Sequence, residues 1–335
     1  MSLPTRPLGR TGMDITTVGF GAWAVGGPWA FGWGPQDDDA SIAAIRHAVS
    51  RGVNWVDTAA VYGLGHSEEV VGRALRDLPE ADRPLVFTKC GMVWSDPPSP
   101  DEQPRRVLEP ASIRRECEAS LRRLGVERID LFQFHWPDAS GVEVEDSWAT
   151  MLELVDEGKV RAGGVSNFDV GLLERCEALG HVGTLQPPFS LVNRAAGGDV
   201  IPWCAEHDTG VIVYSPMQSG LLTGRWTAER TASLDEGDWR RGSDEFNGER
   251  LERNLALVDA LRPIAERRGA TVAAVAIAWT LSWQGVSGAI VGARTPEQVD
   301  GWVGAAELEL TVDDLDEIAA AVERTGAGDG PLRAG

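Results

Sequence analysis

The chain has 335 residues and a formal net charge of −20, and 43% of its residues are hydrophobic. That composition is typical of a globular protein with a large core. The acidic excess argues against nucleic acid or an anionic membrane as partner, because such surfaces are bound by clustered lysine and arginine. The four cysteines lack CxxC pairing and metal-ligand spacing, so we expect reduced thiols, no metal and a cytoplasmic location. We find neither a signal peptide nor an apolar run near the roughly 18 residues of a membrane span.

Strand-like and helix-like segments alternate along the chain. Residues 8–15 are rich in turn formers and predict a small hairpin. Predicted strands follow at residues 17–23, 53–57, 85–89, 129–135, 160–165, 184–186, 210–214 and 286–291. Predicted helices cover residues 38–51, 67–78, 110–124, 144–157, 170–179, 200–207, 249–268, 271–283, 296–304 and 313–322. We expect Ser67 to cap its helix, and residues 326–335 to form a flexible Gly-rich tail.

Eight strand–helix units with β-branched strands predict a (β/α)₈ barrel, a TIM barrel with an N-terminal β-hairpin and extra C-terminal helices. A doubly wound open sheet is the alternative. We find no linker or repeat, and therefore expect one domain over residues 1–335. The loops 24–36, 91–109 and 217–248 are long enough to carry function.

Polar residues follow seven successive predicted strands: Asp57, Lys89, His135, Ser166-Asn167, Gln186, Ser215 and Gly292. In a closed parallel barrel the carboxyl ends of the strands form one ring, where barrel active sites are built. An open sheet would spread the same residues along a line. Polar residues are also common wherever a chain leaves a strand for solvent, so the set alone does not prove a site.

Two scarce residue types occur at these strand ends. The chain has two tyrosines against thirteen tryptophans, and its lysines are Lys89 and Lys159. A tyrosine exchanges a proton near neutral pH only if its pKa falls from about 10, and a nearby ammonium favours the phenolate. We therefore expect Lys89 to lower the pKa of Tyr62, with Asp57 holding the ammonium. His135 is suited to donate a hydrogen bond to a carbonyl oxygen.

The segment Gly19-Phe-Gly-Ala-Trp-Ala24 matches the G-x-G-x-x-A pattern of dinucleotide-binding folds. Gly26-Gly-Pro28 follows it, and this run does not begin the helix on which the pyrophosphate rests in such folds. We therefore reject this segment as a Rossmann fingerprint.

The spacing Asp57-x-x-x-x-Tyr62, followed by Lys89 and His135, resembles the catalytic tetrad of the aldo-keto reductase superfamily. Three further segments are similar to that family: residues 157–168, Tyr214-Ser-Pro-Met-Gln-Ser-Gly-Leu-Leu-Thr-Gly224 and Gly292-Ala-Arg-Thr-Pro-Glu-Gln298. The resemblance extends over about residues 7–320. The segment Gly65-His-Ser-Glu-Glu69 is most similar to the bacterial short-loop branch.

The resemblance implies that Tyr62 is the general acid, tuned by Lys89 and Asp57, and that His135 orients a substrate carbonyl. It also implies NADP(H) as cofactor, with Arg294 suited to pair with a 2′-phosphate. The cofactor-binding residues that it implies are Ser166, Asn167, Gln186, Tyr214, Ser215, Met217, Gly220, Leu221, Gly292, Arg294 and Gln298.

Three positions depart from the family pattern. Trp302 stands where the family usually has asparagine, so we expect stacking to replace a hydrogen bond at the adenine. Val291 replaces a frequent proline, and Phe189 replaces a frequent tyrosine.

Tryptophans in loops at the same end of the barrel are expected to line a substrate pocket, or else to pack the loops down: Trp23, Trp29, Trp33, Trp94 and Trp136. The predicted function is NADPH-dependent reduction of a small-molecule aldehyde or ketone to the alcohol. The alternatives are a redox-sensing regulatory subunit that binds NADP, and an NADP-dependent sugar dehydrogenase.

Overall fold

Eight parallel strands close into a barrel in the order in which they occur along the chain, and the last strand pairs with the first. The computed structural model describes residues 3–29, 32, 34–95, 97, 103–235 and 238–333. The strands are β1 Val18–Gly21, β2 Trp55–Asp57, β3 Leu85–Cys90, β4 Ile129–Phe134, β5 Val160–Ser166, β6 Thr184–Gln186, β7 Gly210–Val213 and β8 Gly288–Gly292. The predicted (β/α)₈ architecture is confirmed, and the open doubly wound sheet is excluded.

Helices connect successive strands and surround the barrel. They are α1 Asp38–Ser50, α2 His66–Arg76, α3 Pro110–Leu124, α4 Val144–Asp156, α5 Val170–Glu177, α6 Val200–Glu206, α7 Ala228–Ala232, α8 Gly248–Arg268, α9 Val272–Leu281, α10 Pro296–Asp300 and α11 Val312–Thr325. The short helix α7 lies inside the predicted loop 217–248. Among the described residues, no helix is both long and apolar enough to cross a lipid bilayer.

Two small antiparallel pairs supplement the barrel. The N-terminal hairpin consists of Thr5–Pro7 and Asp14–Thr16, so its strands flank the turn-rich segment that predicted it. Within the loop 91–109, Met92–Val93 pairs with Arg105–Arg106. The second pair was not predicted, and it joins the two described ends of this loop.

A buried tryptophan fills the barrel near β1 and explains a glycine there. The ring of Trp55 lies 5.2 Å from that of Phe87, and its Nε1 donates to the carbonyl oxygen of Thr16 at 2.8 Å. A Cβ at Gly19 would lie only 2.1 Å from the Trp55 ring. Gly19 therefore makes room for the core, which gives a structural reason for the glycine that resembled a dinucleotide fingerprint.

The predicted cap at Ser67 is wrong. Helix α2 begins at His66 with Gly65 as N-cap and without a side-chain cap. The Ser67 hydroxyl instead donates to the carbonyl oxygen of Ala22 at 2.8 Å and lies 2.9 Å from the hydroxyl of Thr58. Ser67 thus ties α2 to the segments that follow β1 and β2.

The segment after α11 is not a free tail in this structure. The backbone N–H of Arg194 donates to the carbonyl oxygen of Asp329 at 2.8 Å, and Asn193 forms a β-bridge with Asp329. The Arg194 guanidinium is buried and donates to the carbonyl oxygen of Ala327 at 3.2 Å. Contacts of the buried Arg194 thus join this segment to the barrel, and the flexibility of the tail stays a prediction.

Candidate active site

A cavity of about 490 Å³ opens at the carboxyl ends of the barrel strands. The residues predicted from strand ends meet there, as a closed barrel requires. Those lining the cavity are Asp57, Tyr62, His135, Ser166, Asn167, Gln186, Tyr214, Ser215, Met217, Gly220 and Gly292. Lys89 lies just beneath, fully enclosed at 1% exposure.

Asp57, Lys89 and Tyr62 form a hydrogen-bonded chain. The Lys89 Nζ donates to Asp57 Oδ1 at 2.5 Å, to the carbonyl oxygen of Thr58 at 2.9 Å and to the Tyr62 hydroxyl at 3.3 Å. Asp57 ends β2 and Lys89 lies in the neighbouring β3, so sheet register fixes the pair. The turn after β2 brings Tyr62 back over the ammonium, which lies 5.1 Å from the tyrosine ring centre.

Burial sets the protonation of this chain. Burial disfavours the ammonium, but the Asp57 carboxylate outweighs it and leaves the pKa of Lys89 above its ordinary value. Burial likewise raises the pKa of Tyr62, and the opposing charge of Lys89 does not overcome it. We expected the pKa of Tyr62 to be lowered overall, and this expectation is wrong. Tyr62 stays protonated, and Lys89 is placed to stabilise the phenolate once the proton leaves.

His135 lies beside Tyr62 immediately after β4. The two rings meet edge to face with centroids 5.6 Å apart. Burial, together with the positive charges of Lys89 and Arg106, holds the pKa of His135 well below its ordinary value. The imidazole is therefore neutral at physiological pH, and a neutral imidazole can donate one hydrogen bond without competing for the proton of Tyr62.

Gln186 supports the carboxylate of Asp57. Its Nε2 donates to Asp57 Oδ2 at 2.9 Å, so both oxygens of this buried side chain are hydrogen-bonded. The resemblance implied that Gln186 binds the nicotinamide carboxamide. In this structure the amide nitrogen of Gln186 is already bonded to Asp57. The sequence did not indicate this contact between β6 and β2.

Ser166, Asn167 and Tyr214 form a second polar network on the cavity wall. Ser166 Oγ donates to the carbonyl oxygen of Gln186 at 2.7 Å, and Asn167 Nδ2 donates to that of His135 at 3.0 Å. The Tyr214 hydroxyl donates to Asn167 Oδ1 at 2.9 Å. Asn167 adopts a left-handed backbone with φ of 62°, a conformation that asparagine tolerates better than most residues. The network orients amide and hydroxyl groups that a carboxamide can bind.

The segment after β7 forms a tight turn along the cavity. Ser215, Ser219 and Gly220 line the cavity and have positive φ values of 57°, 52° and 95°. Turns that mix right- and left-handed residues form concave backbone sites for anions, which suits a cofactor pyrophosphate. The Leu221 side chain, by contrast, is fully buried beside Trp226, so only its backbone is available to such a ligand.

Arg294 and Gln298 lie outside the cavity, beyond the end of β8. The Arg294 guanidinium hydrogen-bonds the Gln36 side chain, and its Nη2 donates to the carbonyl oxygen of Pro35 at 2.5 Å. Gln298 Oε1 accepts from the Arg294 backbone N–H at 2.7 Å. Among the described residues, no acceptor is bonded to Nη1 of Arg294, so that edge remains available to an anion.

Trp302 is not placed to stack on a ligand. Its side chain is 2% exposed and packs in the hydrophobic core. Its indole Nε1 is buried without a hydrogen-bond acceptor among the described residues. The expectation that Trp302 stacks on the adenine is therefore wrong, because its ring packs into the core.

The tryptophan predictions are met in part. Trp23, Trp29 and Trp136 line the cavity, whereas Trp94 does not. Trp33 falls outside the described residues. Trp239, which was not predicted, also lines the cavity, and its ring lies 6.4 Å from that of Trp23.

Two further cavity residues, Met92 and Arg106, were missed. Both belong to the small strand pair within the loop 91–109, whose length had marked it as functional. The partly buried Glu116 accepts the Gly91 N–H at 2.8 Å where this loop leaves β3, and desolvation raises the pKa of Glu116 to about 7. The length of this loop indicated that it carries function, but it did not predict which of its side chains line the cavity.

Comparison with known proteins identifies the family. The model of the aldo/keto reductase family matches residues 17–323. The chain belongs to the aldo/keto reductase family. Aldo-keto reductases are oxidoreductases that use nicotinamide cofactors, in agreement with the resemblance noted from the strand-end residues.

Individual relatives of this aldo-keto reductase cover nearly its whole length. It is 36% identical to aldo-keto reductase YhdN of Bacillus subtilis (strain 168), over 94% of this chain and 92% of the relative. It is 34% identical to the NADH-specific methylglyoxal reductase of Escherichia coli (strain K12), over 95% and 99%. The solved structure of the glycerol dehydrogenase AKR11B4 from Gluconobacter oxydans superposes with a TM-score of 0.89 at 36% identity, covering 99% and 98%.

Proposed function

We propose that this aldo-keto reductase reduces an aldehyde or ketone to the alcohol with NADPH, using Tyr62 as general acid. The supporting observation is the chain from Asp57 through Lys89 to the Tyr62 hydroxyl, which ends in the cavity beside His135. A buried ammonium next to a phenol suits proton transfer. It stabilises the phenolate that forms when the phenol gives its proton to a substrate oxygen.

The proposed reaction divides the work among four side chains. His135 donates a hydrogen bond that holds the substrate carbonyl oxygen near Tyr62. A reduced nicotinamide cofactor, when bound along the cavity wall, would be the source of the hydride for the carbonyl carbon. Tyr62 gives its proton to the oxygen as negative charge develops there, and Lys89 stabilises the resulting phenolate. Asp57 keeps the ammonium in place, and solvent restores the tyrosine proton after the alcohol leaves.

The residues present fit a nicotinamide cofactor along one side of the cavity. We propose that Ser166 and Asn167 bind the carboxamide, that Tyr214 lies against the nicotinamide ring, and that the turn from Ser215 to Leu221 holds the pyrophosphate. Ser166 and Asn167 lie at the end of β5, and Tyr214 and the turn follow β7. Gln186 ends β6 between them, so these groups form one continuous wall. Met217, Gly220 and Gly292 complete that wall.

Arg294 supports NADPH rather than NADH. A guanidinium pairs strongly with phosphate, and the 2′-phosphate is the group that distinguishes the two cofactors. Gln36 and Pro35 hold Arg294 near Gln298 and leave Nη1 open. Because the chain is also similar to an NADH-specific enzyme, its preference between NADPH and NADH has to be measured.

Oxidation of a polyol or sugar is the second proposed function, and the similarity to a glycerol dehydrogenase favours it. The same residues act in reverse, with Tyr62 accepting the alcohol proton. Because burial raises the pKa of Tyr62, the phenolate needed for oxidation forms only at high pH. Oxidation should therefore increase with pH, while reduction should not.

A cofactor-coupled assay tests the proposed function. Wild-type protein loaded with NADPH should oxidise it in a single turnover when a simple aldehyde is added, and then continue through many turnovers. A single slow turnover without cycling would favour a redox-sensing subunit. No turnover with any aldehyde, ketone or polyol at pH 6 to 10 would contradict the proposal.

A further inference from the structure

The strand pair of the loop 91–109 places an arginine at the cavity wall. Arg106 pairs with Met92, and both side chains line the cavity. The hairpin is anchored to the loop after β4: Ala139 N–H donates to the carbonyl oxygen of Arg106 at 3.2 Å, and Leu108 N–H donates to Asp138 Oδ1 at 2.8 Å. Leu108 itself is fully buried. The backbone of Arg106 is therefore held by its pairing with Met92 and by the loop after β4, while its side chain is exposed.

The Arg106 guanidinium lies over an aromatic ring, and the described residues offer it no acceptor. Its Cζ is 4.3 Å from the ring centre of Trp136, the residue that follows His135. Within the described part of the chain, no hydrogen bond or salt bridge to this guanidinium occurs. Stacking uses the face of a guanidinium and leaves its in-plane N–H groups free for a bidentate anion.

Charge inside the cavity also favours an anion. Among the described lining residues, Asp57 and Arg106 carry the formal charges, and Asp57 is neutralised by Lys89. The described part of the lining therefore has a net positive charge in a protein whose formal net charge is −20. The charge of Arg106 contributes to the lowered pKa of His135, so its field reaches the proposed carbonyl site.

The cofactor does not account for this arginine. Arg106 belongs to the loop after β3, whereas the proposed pyrophosphate turn follows β7. These two strands lie on opposite sides of an eight-stranded barrel. A group bound at Arg106 is therefore on the substrate side of Tyr62 and His135.

We propose that Arg106 is a specificity-determining residue, and that the preferred substrate is an aldehyde or ketone bearing an anionic oxygen group, a carboxylate or a phosphate. The carbonyl lies between Tyr62 and His135, and the anion pairs with the in-plane N–H groups of Arg106. This inference rests on the proposed carbonyl reduction. It adds a substrate class to that reaction.

Matched substrate pairs test the inference. The carboxylate pair is 4-carboxybenzaldehyde and its methyl ester, and the phosphate pair is glyceraldehyde 3-phosphate and glyceraldehyde. Wild type should prefer the anionic member of at least one pair. Arg106→Gln should lower the anionic-to-neutral ratio of kcat/KM by about tenfold or more, mainly through KM, because a charge-assisted pair is lost. Arg106→Lys should retain part of the preference.

Arg105→Gln is the matched control, because Arg105 is the neighbouring exposed arginine and does not line the cavity. It should leave the ratio within about twofold, since adjacent strand residues point to opposite faces. Higher ionic strength should raise KM for the anionic substrate in wild type but not in Arg106→Gln. The pair that responds identifies the anion as carboxylate or phosphate.

The outcomes separate this inference from the proposed function. If neutral aldehydes are reduced and Arg106→Gln lowers both members of each pair equally, the anion site is refuted and carbonyl reduction stands. A wild type without preference for either anion also refutes the site. If wild type reduces none of the four aldehydes, the substrate class is refuted, and the proposed function fails as well when no other aldehyde, ketone or polyol is turned over.

Discussion

Replacing Lys89 by methionine should separate the stability of the buried site from its chemistry. Lys89 is 1% exposed and Asp57 is 2% exposed, and their charged atoms lie 2.5 Å apart. In Lys89→Met, the Asp57 carboxylate keeps the hydrogen bond from Gln186 but loses the ammonium that balances its charge. Leaving one partner of a buried ion pair uncompensated costs roughly 3–5 kcal/mol.

Asp57 can avoid this cost by taking up a proton. At pH 7, protonating a carboxyl group whose ordinary pKa is about 3.9 costs about 4 kcal/mol. This cost is the upper limit of the loss of stability in Lys89→Met. Burial without Lys89 raises the folded-state pKa of Asp57, so the deficit grows as pH rises and shrinks as pH falls. We expect the deficit to change by about 1.4 kcal/mol per pH unit.

Urea unfolding of Lys89→Met and of Asp57→Asn/Lys89→Met at pH 5, 6 and 7 measures this deficit. The double variant is the control, because its site has no carboxyl to titrate. The single variant should be less stable by about 3–4 kcal/mol at pH 7, narrowing to about 1 kcal/mol at pH 5. Both should lack reductase activity. Equal stabilities at pH 7, or a deficit independent of pH, would refute the role of Lys89 as counter-charge.

Three other predictions follow from named contacts. Arg294→Ala should weaken NADPH binding more than NADH binding, measured by fluorescence titration, and equal losses would remove its 2′-phosphate role. Glu116 has a folded pKa of about 7, so it removes stability as pH rises from about 4.5 to 7. Glu116→Gln should flatten that dependence by about 3 kcal/mol, and an unchanged urea-midpoint profile would disprove it. Gly19→Ala should destabilise the protein by about 3 kcal/mol or more, because the added methyl group clashes with Trp55. Gly304→Ala is the control, because its methyl group meets nothing within 4 Å. Similar urea midpoints for the two variants would contradict this prediction.

The barrel and the tetrad were predictable from sequence because both depend on local pattern. Alternating apolar strands and amphipathic helices predicted the (β/α)₈ barrel. Once the strands are ordered, Asp57, Lys89 and His135 must meet at one end of it. Their identity as an acid–ammonium–imidazole set then indicates proton transfer.

The remaining features depend on long-range contacts that no local pattern encodes. Gln186 binds Asp57 across the barrel, and Arg106 lines the cavity on a hairpin whose backbone is bonded to the loop after β4. Trp302 is buried although its position suggested a ligand contact. The net rise in the pKa of Tyr62 likewise comes from burial, which depends on packing of the whole site rather than on its neighbour Lys89 alone.

The most direct test of the central claim is carbonyl reduction by Tyr62→Phe, which removes the proposed proton donor and keeps the ring. The account predicts that kcat/KM for aldehyde reduction falls by about 10²–10⁴-fold or more, while NADPH binds within a few-fold of wild type. Aldehyde reduction by Tyr62→Phe at a rate comparable to wild type would contradict the role of Tyr62 as general acid, and with it the proposed mechanism.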